Sequence, residues 1–583
     1  MGFRFFVFNG SNILLMNMSQ TSLRRPAFFR VFGLFLLLCV GTATSIAADA
    51  LHDEHLKEDR AHADRLTAYL GEKFPGGISS ISLDAGRIHL QGNMPANPAA
   101  ELAEVPMWED VTALKSPVTL LPIHTDAAGR FAVDVDRVTA DGRDRLLSAW
   151  AVVRKVADGY EPLSALHYID SEKPRADLPA AKPRSIKGMG GCPFDHPDME
   201  ALGISSVTLN IVLNDIIVSQ PGRGVTPYTY AGRQWYVRDG VVARLDRDMK
   251  IAAEHQWMVS AIILLRPARN NPAGSWTREA AHPDAQPPAP YAMPNFTSRA
   301  GAEAYAAAMN FLAERYSRPD GQFGRIHDWI MHNEISAGFY WTNAGDKTLV
   351  TYLEMYQKSM RTIYLLARQY DPHAKPLISL DHCWTVKSDP RAYTDRDLLE
   401  KLLEFSRVEG DFEWGIAFHP YAQDLFNPRT WEDHDATFSF NTKFITFKNL
   451  EVLDAWARQP MACYHGQPRE IQLSEQGLNS RDYSEKALTE QAAGLAYAWK
   501  KIEPLKTITA FQYHNWCDAR EEGGLRLGIR KFGNESGDPL GKKPAWDVFK
   551  AMGTEDWKKA SAFAKLIVGI KDWNEVHYSG KIE

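Results

Sequence analysis

The chain has 583 residues, with 66 Lys and Arg against 72 Asp and Glu, a formal net charge of −6. That length exceeds one ordinary domain and points to two or three; 45% hydrophobic and 24% charged residues mark a globular protein and exclude disorder, collagen and a multi-span membrane protein. The near-balanced charge argues against a nucleic-acid binder, and the excess is aromatic, with 16 Trp, 21 Tyr and 27 Phe that fill a core by default and also serve as flat stacking surfaces for sugar rings.

Arg24, Arg25 and Arg30 flank an apolar run from Val31 to Val40, followed by the small-residue site Ser45-Ile46-Ala47. This is the layout of a secretory signal peptide over 1–47. The run is short for a membrane span. A secreted or periplasmic protein with no span in its mature form is therefore expected. Beyond it lie Cys192, Cys383, Cys463 and Cys517, too few for a disulfide scaffold and without C-x-x-C spacing. Three disulfide pairings stay open.

Residues 48–77 hold Leu51, Leu56, Leu66 and Leu70 among charges, which predicts a short exposed helix ended by Phe74-Pro75-Gly76-Gly77. From Ile78 the period becomes two: Ile81 and Leu83, then Ile88 and Leu90, later Phe131, Val133 and Val135, and a run from Leu147 to Val156. This predicts a small all-β, sandwich-like module over 78–169. Pro174, Pro179 and Pro183 mark 170–184 as a linker.

Over 185–583 strands and helices alternate, the signature of a parallel α/β fold. The predicted strands are Ser185–Gly188, Ser206–Leu213, Met258–Leu265, Ile326–Glu334, Pro376–Asp381, Trp414–His419, Glu470–Glu475 and Thr507–His514. Eight strand–helix units fit a (β/α)8 TIM barrel preceded by the small β domain. A doubly wound sheet is the alternative, but no G-x-G-x-x-G or phosphate loop follows a strand. Two long insertions face the C-terminal ends of the strands. Pro267–Asn295 holds seven prolines and Trp276 and predicts a stiff wall or lid; 222–240, with Tyr228, Tyr230 and Trp235, predicts a hairpin on the same rim.

Chemistry in such a barrel sits at the C-terminal strand ends. Strand four ends His332-Asn333-Glu334, strand five Asp381-His382-Cys383-Trp384, strand six His419-Pro420-Tyr421, strand seven Ser474-Glu475 and strand eight Tyr513-His514-Asn515-Trp516. Two glutamates thus reach one face from strands four and seven. Paired carboxyls flanking a cavity suit glycoside hydrolysis, one protonated to assist the leaving oxygen and one ionised to attack.

This arrangement resembles the clan A glycoside hydrolases, retaining enzymes on a (β/α)8 barrel, over about residues 185–553. It also looks like an uncharacterised bacterial family of exported glycosidase-like proteins with a β domain ahead of the barrel. By resemblance Glu334 is the acid/base and Glu475 the nucleophile. Asn333 binds the sugar 2-hydroxyl, Trp516 floors the subsite of cleavage, and His419 or Tyr421 orients the nucleophile. One departure stands out. Many clan members carry an Arg near the end of strand two, where this chain has Leu213-Asn214-Asp215; Asn210 or Asn214 is left to contact substrate. Asp381 and His382 are further candidates for sugar contact, and Trp341, Trp384 and Trp431 are either packing or sugar platforms.

The expected function is an exported retaining glycosidase acting on a poly- or oligosaccharide, with carbohydrate as its partner and no metal or organic cofactor. Two rivals remain. A metal-dependent barrel hydrolase would use His327, His332, His382, His419 and His514, but strand one lacks His-x-His. A non-catalytic carbohydrate-binding protein is the other.

Overall fold

The computed structural model describes residues 54–583 except 85, 96–98 and 270. The signal peptide expected over 1–47, and Leu51, lie outside the described residues. Eight parallel strands close a barrel: Lys187–Gly190, Ser206–Val212, Met258–Leu264, Asp328–Met331, Lys375–Leu380, Gly415–Phe418, Ile471–Leu473 and Ile508–His514. Strand eight pairs back onto strand one, from Phe511 opposite Lys187 to His514 opposite Gly190. Every expected unit forms. Strand one begins two residues later than its sequence suggests.

Strands covered on both faces need unbroken apolar sequence. Strand three, Met-Val-Ser-Ala-Ile-Ile-Leu, is buried at every position. Its alternate residues Ile262 and Leu264 point inward, where they meet Ile330, Leu377 and Ala417. A polar layer completes the interior: Ser260 donates to Gln472 (2.8 Å) and Gln472 to Asp328 (2.7 Å). Strand one fills the barrel least. A Cβ at Gly188 would fall 2.2 Å from Ser206 Oγ, so glycine here lets strand two project Ser206 and Thr208 inward.

Helices cover the outside. Arg299–Arg315, Asp395–Glu409 and Glu485–Ile502 start at Ser298, Thr394 and Ser484, whose hydroxyls accept backbone N–H groups of the first turn. Among the described residues, no helix is long and apolar enough to cross a membrane.

Ahead of the barrel lie two four-stranded sheets. One runs Arg130–Asp136, Arg87–Asn93, Gly77–Asp84, Ser171–Glu172; the other Thr119–Pro122, Ala100–Pro106, Ser148–Val156, Gly159–Pro162. Ile81, Ile88, Leu102, Trp150 and Val152 are fully buried in their shared core. Glu104 is buried there too, bound by Arg143, Arg145 (2.9 Å), Ser148 (2.7 Å) and Thr119 (2.7 Å). Burial pushes its carboxyl up, yet Arg143 and the hydroxyls hold it down at about 2.

Three expectations are corrected. The helix at 54–70 is not simply exposed: Ala63, Leu66, Tyr69 and Leu70 are buried, and Asp59 accepts the Thr348 N–H (2.8 Å). The start of the linker is structured, since Ser171–Glu172 pairs with Gly77–Asp84 and the Arg175 N–H donates to the Gln369 carbonyl (2.8 Å). The hairpin Val225–Tyr230 with Arg233–Arg238 forms, but its Gly232 turn packs against Gly142 of the sheet domain, away from the cleft.

Candidate active site

Strand four stops at Met331, and the chain turns sharply. His332 and Glu334 both adopt left-handed backbone angles (φ 62° and 36°), which throws the Glu334 side chain toward the barrel mouth. The Glu334 N–H donates to Ser379 Oγ at 3.0 Å. Its carboxylate meets His419 Nδ1 at 2.9 Å, and His419 Nε2 lies 3.1 Å from Ser474 Oγ. Burial and the neighbouring Asp381 carboxylate push Glu334 up to about 8, against the opposing pull of His514 and Trp341. His419 is fully buried, and burial pushes its pKa down, so the imidazole is neutral. With Glu334 protonated, its O–H donates to Nδ1 and Nε2–H donates to Ser474.

Glu475 follows strand seven. Tyr421 donates its hydroxyl to Glu475 Oε1 at 3.0 Å. Burial and the Glu475 charge keep that phenol protonated by raising its pKa. Of the two strand-six candidates for orienting Glu475, Tyr421 makes the contact, whereas His419 serves Glu334. One ligand atom each of Glu334, His419 and Glu475 lie within 4.8 Å of one another.

That cluster raises the metal question directly. In this structure the three groups are engaged by hydrogen bonds: His419 Nδ1 meets Glu334, His419 Nε2 meets Ser474, and one Glu475 oxygen accepts from Tyr421. His327 and His332 do not converge on the cluster, since His327 Nδ1 accepts the Val259 N–H and His332 Nε2 meets Ser359 on a covering helix. His332 is buried and His327 half-buried, and desolvation pushes each down to about 3.

The other expected residues divide. Asn210 is exposed on strand two, in line with the inward-facing Ser206 and Thr208. Asn333 is half-buried, its carbonyl held by Thr342 Oγ1 (2.9 Å). His382 packs on Phe444, and its Nδ1 has no hydrogen-bond partner. Trp516 is 7% exposed, pinned by its indole N–H to Asp198 (2.8 Å) and packed against His196 (4.6 Å). Asp381 turns under the site: it is buried, accepts the Cys383 N–H (2.6 Å), and acts on Glu334 by its charge.

The tryptophans are mostly structural. Trp384 is fully buried, with its N–H on the Phe440 carbonyl (2.8 Å), so it offers no face to a sugar. Trp276 likewise donates from the insertion to the Ala304 carbonyl of helix Arg299–Arg315 (2.9 Å), and Trp431 packs on Tyr497. Trp341 is the exception. It is half-buried beside Glu334 and stacks on Tyr291, the inner edge of the proline-rich insertion (6.3 Å).

Sequence reasoning missed Ser379, Ser474, Tyr291 and Glu522. Glu522 binds His514 Nε2 at 2.9 Å from the strand-eight loop. Its setting, Glu521-Glu522-Gly523-Gly524, reads as a plain turn. Ser474 was visible as the residue just before Glu475. The four cysteines are free.

No curated protein matches the chain. Among solved structures it is similar to a family 39 glycoside hydrolase from the gut symbiont Bacteroides cellulosilyticus WH2, at 12% identity over 81% of each chain, with a TM-score of 0.40. It is also similar to a glucosidase from Croceicoccus marinus, at 14% identity over 65% of this chain and 71% of that one, TM-score 0.38. A third is the exo-β-1,4-mannosidase Op5Man5 from Opitutaceae bacterium strain TAV5, at 14% identity over 66% of this chain and 61% of that one, TM-score 0.38. The model of a family of unknown function, DUF5722, matches residues 179–576, from the end of the linker to beyond the last barrel helix, and the chain belongs to that family.

Proposed function

We propose that this protein is an exported, retaining glycoside hydrolase of the clan A kind, acting on a poly- or oligosaccharide. One observation carries the reading. Two glutamates from strands four and seven bring carboxylate oxygens within 4.8 Å of each other, and their environments differ. Glu334 is neutral at pH 7 because of burial and Asp381, while Glu475 accepts a hydrogen bond from Tyr421. So close an approach of the nearest oxygens supports the ~5–5.5 Å carboxyl separation of retaining enzymes over the ~6.5–9.5 Å of inverting ones.

In this mechanism Glu475 attacks the anomeric carbon while Glu334 gives its proton to the departing oxygen. A glycosyl-enzyme forms. Glu334, now ionised, takes a proton from water, which displaces Glu475 and restores both groups. Asn333, Asn210 and His382 offer the free polar groups for sugar hydroxyls, and Trp516 and Trp341 offer ring surface.

The test is a glycan-panel screen of the wild type beside Glu475→Ala and Glu334→Gln, with the anomer of the first product read by NMR. Each variant is expected to lose about 10²–10⁴-fold or more in turnover, with retained configuration in the wild type. Wild-type turnover in both variants sinks the site, and an inverted product sinks double displacement. Exhaustive chelation is expected to leave activity unchanged.

A further inference from the structure

A nucleophilic carboxylate in a buried site needs a nearby positive charge to stay ionised. The clan's usual supplier, an Arg at the end of strand two, is absent here. Arg266, at the end of strand three, is committed elsewhere: its guanidinium grips Asp215 at 2.7 and 2.8 Å and is about half exposed. Tyr421 is a neutral donor.

Strand eight provides a substitute. The His514 N–H donates to the carbonyl of Gln476, the residue after Glu475, at 2.8 Å, which sets His514 beside the end of strand seven. Gly191, at the end of strand one, lies against this turn: a Cβ there would sit 2.8 Å from Asn515 Cβ and in ordinary contact with His514 Nδ1, at 3.6 Å. Glu522 clamps Nε2 from the opposite side (2.9 Å). The titratable groups facing His514 are Glu475 from strand seven, Glu522 from its own loop, Glu334 from strand four and His419 from strand six. Two carboxylates, Glu475 and Glu522, and the Glu334 carboxyl thus surround one imidazole, with a neutral His419 beside them.

We propose that His514, held as an imidazolium by Glu522, is the positioning residue that supplies the positive charge for Glu475 in place of the missing arginine. This rests on the glycosidase reading of Glu475. Burial alone strips a histidine of its proton, but Glu475, Glu522 and Glu334 together push His514 up to about 9. The same cation reaches Glu334, where the Asp381 charge outweighs it. One cation and one buried carboxylate thereby drive the two catalytic groups apart.

The experiment has two arms on the full chain. The first follows imidazole 15N shifts by NMR in the wild type, Glu522→Gln and Glu475→Gln. His514 is expected to titrate near 9 in the wild type and about one pH unit or more lower in each variant. Titration near 6.5 in the wild type overturns the proposal whatever the enzyme turns over. The second arm measures kcat/KM against pH on an activated aryl glycoside that the wild type hydrolyses. The acidic limb of that profile is expected to rise by about one pH unit in His514→Gln and by less in Glu522→Gln, with the loss recovered at higher pH. A uniform drop with an unmoved acidic limb in both variants overturns it in favour of packing alone. Absence of any glycosidase turnover in the wild type is a failure of the functional reading, and the NMR arm then judges His514 by itself.

Discussion

Glu334 is held in place at a cost. Its left-handed backbone (φ 36°, ψ 63°) costs a non-glycine residue on the order of 1–3 kcal/mol, and a buried carboxyl adds a second penalty. The sign of that penalty follows from the direction of its shift. The folded value near 8 lies above the ordinary 4.5, so nothing is lost below pH 4.5. Stability then falls as pH rises, and the loss is complete above pH 8. Glu334→Gln keeps the shape and removes the charge, so it is expected to raise Tm at pH 8 and leave it unchanged at pH 4. Thermal scans at the two pH values decide, and a lower Tm at pH 8 contradicts the assignment. In the wild type, kcat/KM is expected to fall as pH rises through about 8, because the acid acts only when protonated. A site whose occupant destabilises the fold at working pH is the trade expected of catalytic machinery rather than of a structural carboxylate.

Elements differ in how much of themselves they write into sequence. Strand three reads clearly because both its faces are buried, whereas strand one, Lys187-Gly188-Met189-Gly190, has glycine where its neighbours have side chains. Its signal is blank for a steric reason, and that reason is testable. Gly188→Ala sets a Cβ 2.2 Å from Ser206 Oγ and 2.8 Å from the Ser206 carbonyl, so it is expected to cost about 1–3 kcal/mol in denaturant unfolding. Gly240→Ala, on the exposed first turn of helix Asp239–Glu254 with open space around it, is expected to gain up to about 1 kcal/mol. Equal effects at the two sites contradict this account. In the second sheet of the N-terminal domain Ser148–Val156 was legible, but its neighbour was not, for another reason. Ala100–Pro106 places Glu104 in the core, and a buried carboxylate breaks the alternation that marks a strand until its partners Arg143 and Arg145, some forty residues away, are seen. In the site, strand ends located Glu334, Glu475 and Tyr421, because the last residues of a parallel strand must emerge at the mouth. The same rule says nothing about the turn that follows, so Asp381 and Trp384 were placed in the cleft and instead point beneath it.

At the scale of the whole molecule, one histidine joins three parts. His62, on the helix at 54–70, meets Asp110 of the sheet domain at 3.1 Å and Glu354 of barrel helix Leu349–Arg368 at 2.8 Å. Lys358 binds the second oxygen of Glu354 (2.7 Å), which leaves that carboxylate fully paired. Burial pulls the His62 proton off, but Asp110 and Glu354 hold it on, pushing the imidazole up to about 9. The sign here is opposite to that of a depressed carboxylate. Stabilisation is fully present below pH 6.5 and is lost as pH rises through 9. The protein is therefore expected to lose on the order of 1–3 kcal/mol across that window. Loosening should begin where the helix and sheet domain meet the barrel. His62→Gln removes the titrating group, so it should lower Tm at pH 6 and flatten its decline toward pH 9. Protease cleavage within 54–70 should rise with pH in the wild type and be high throughout in the variant. If both proteins decline in parallel from pH 6.5 to 9, the junction owes its stability to the apolar contacts of Leu66, Tyr69 and Leu70 instead, and His62 is a bystander.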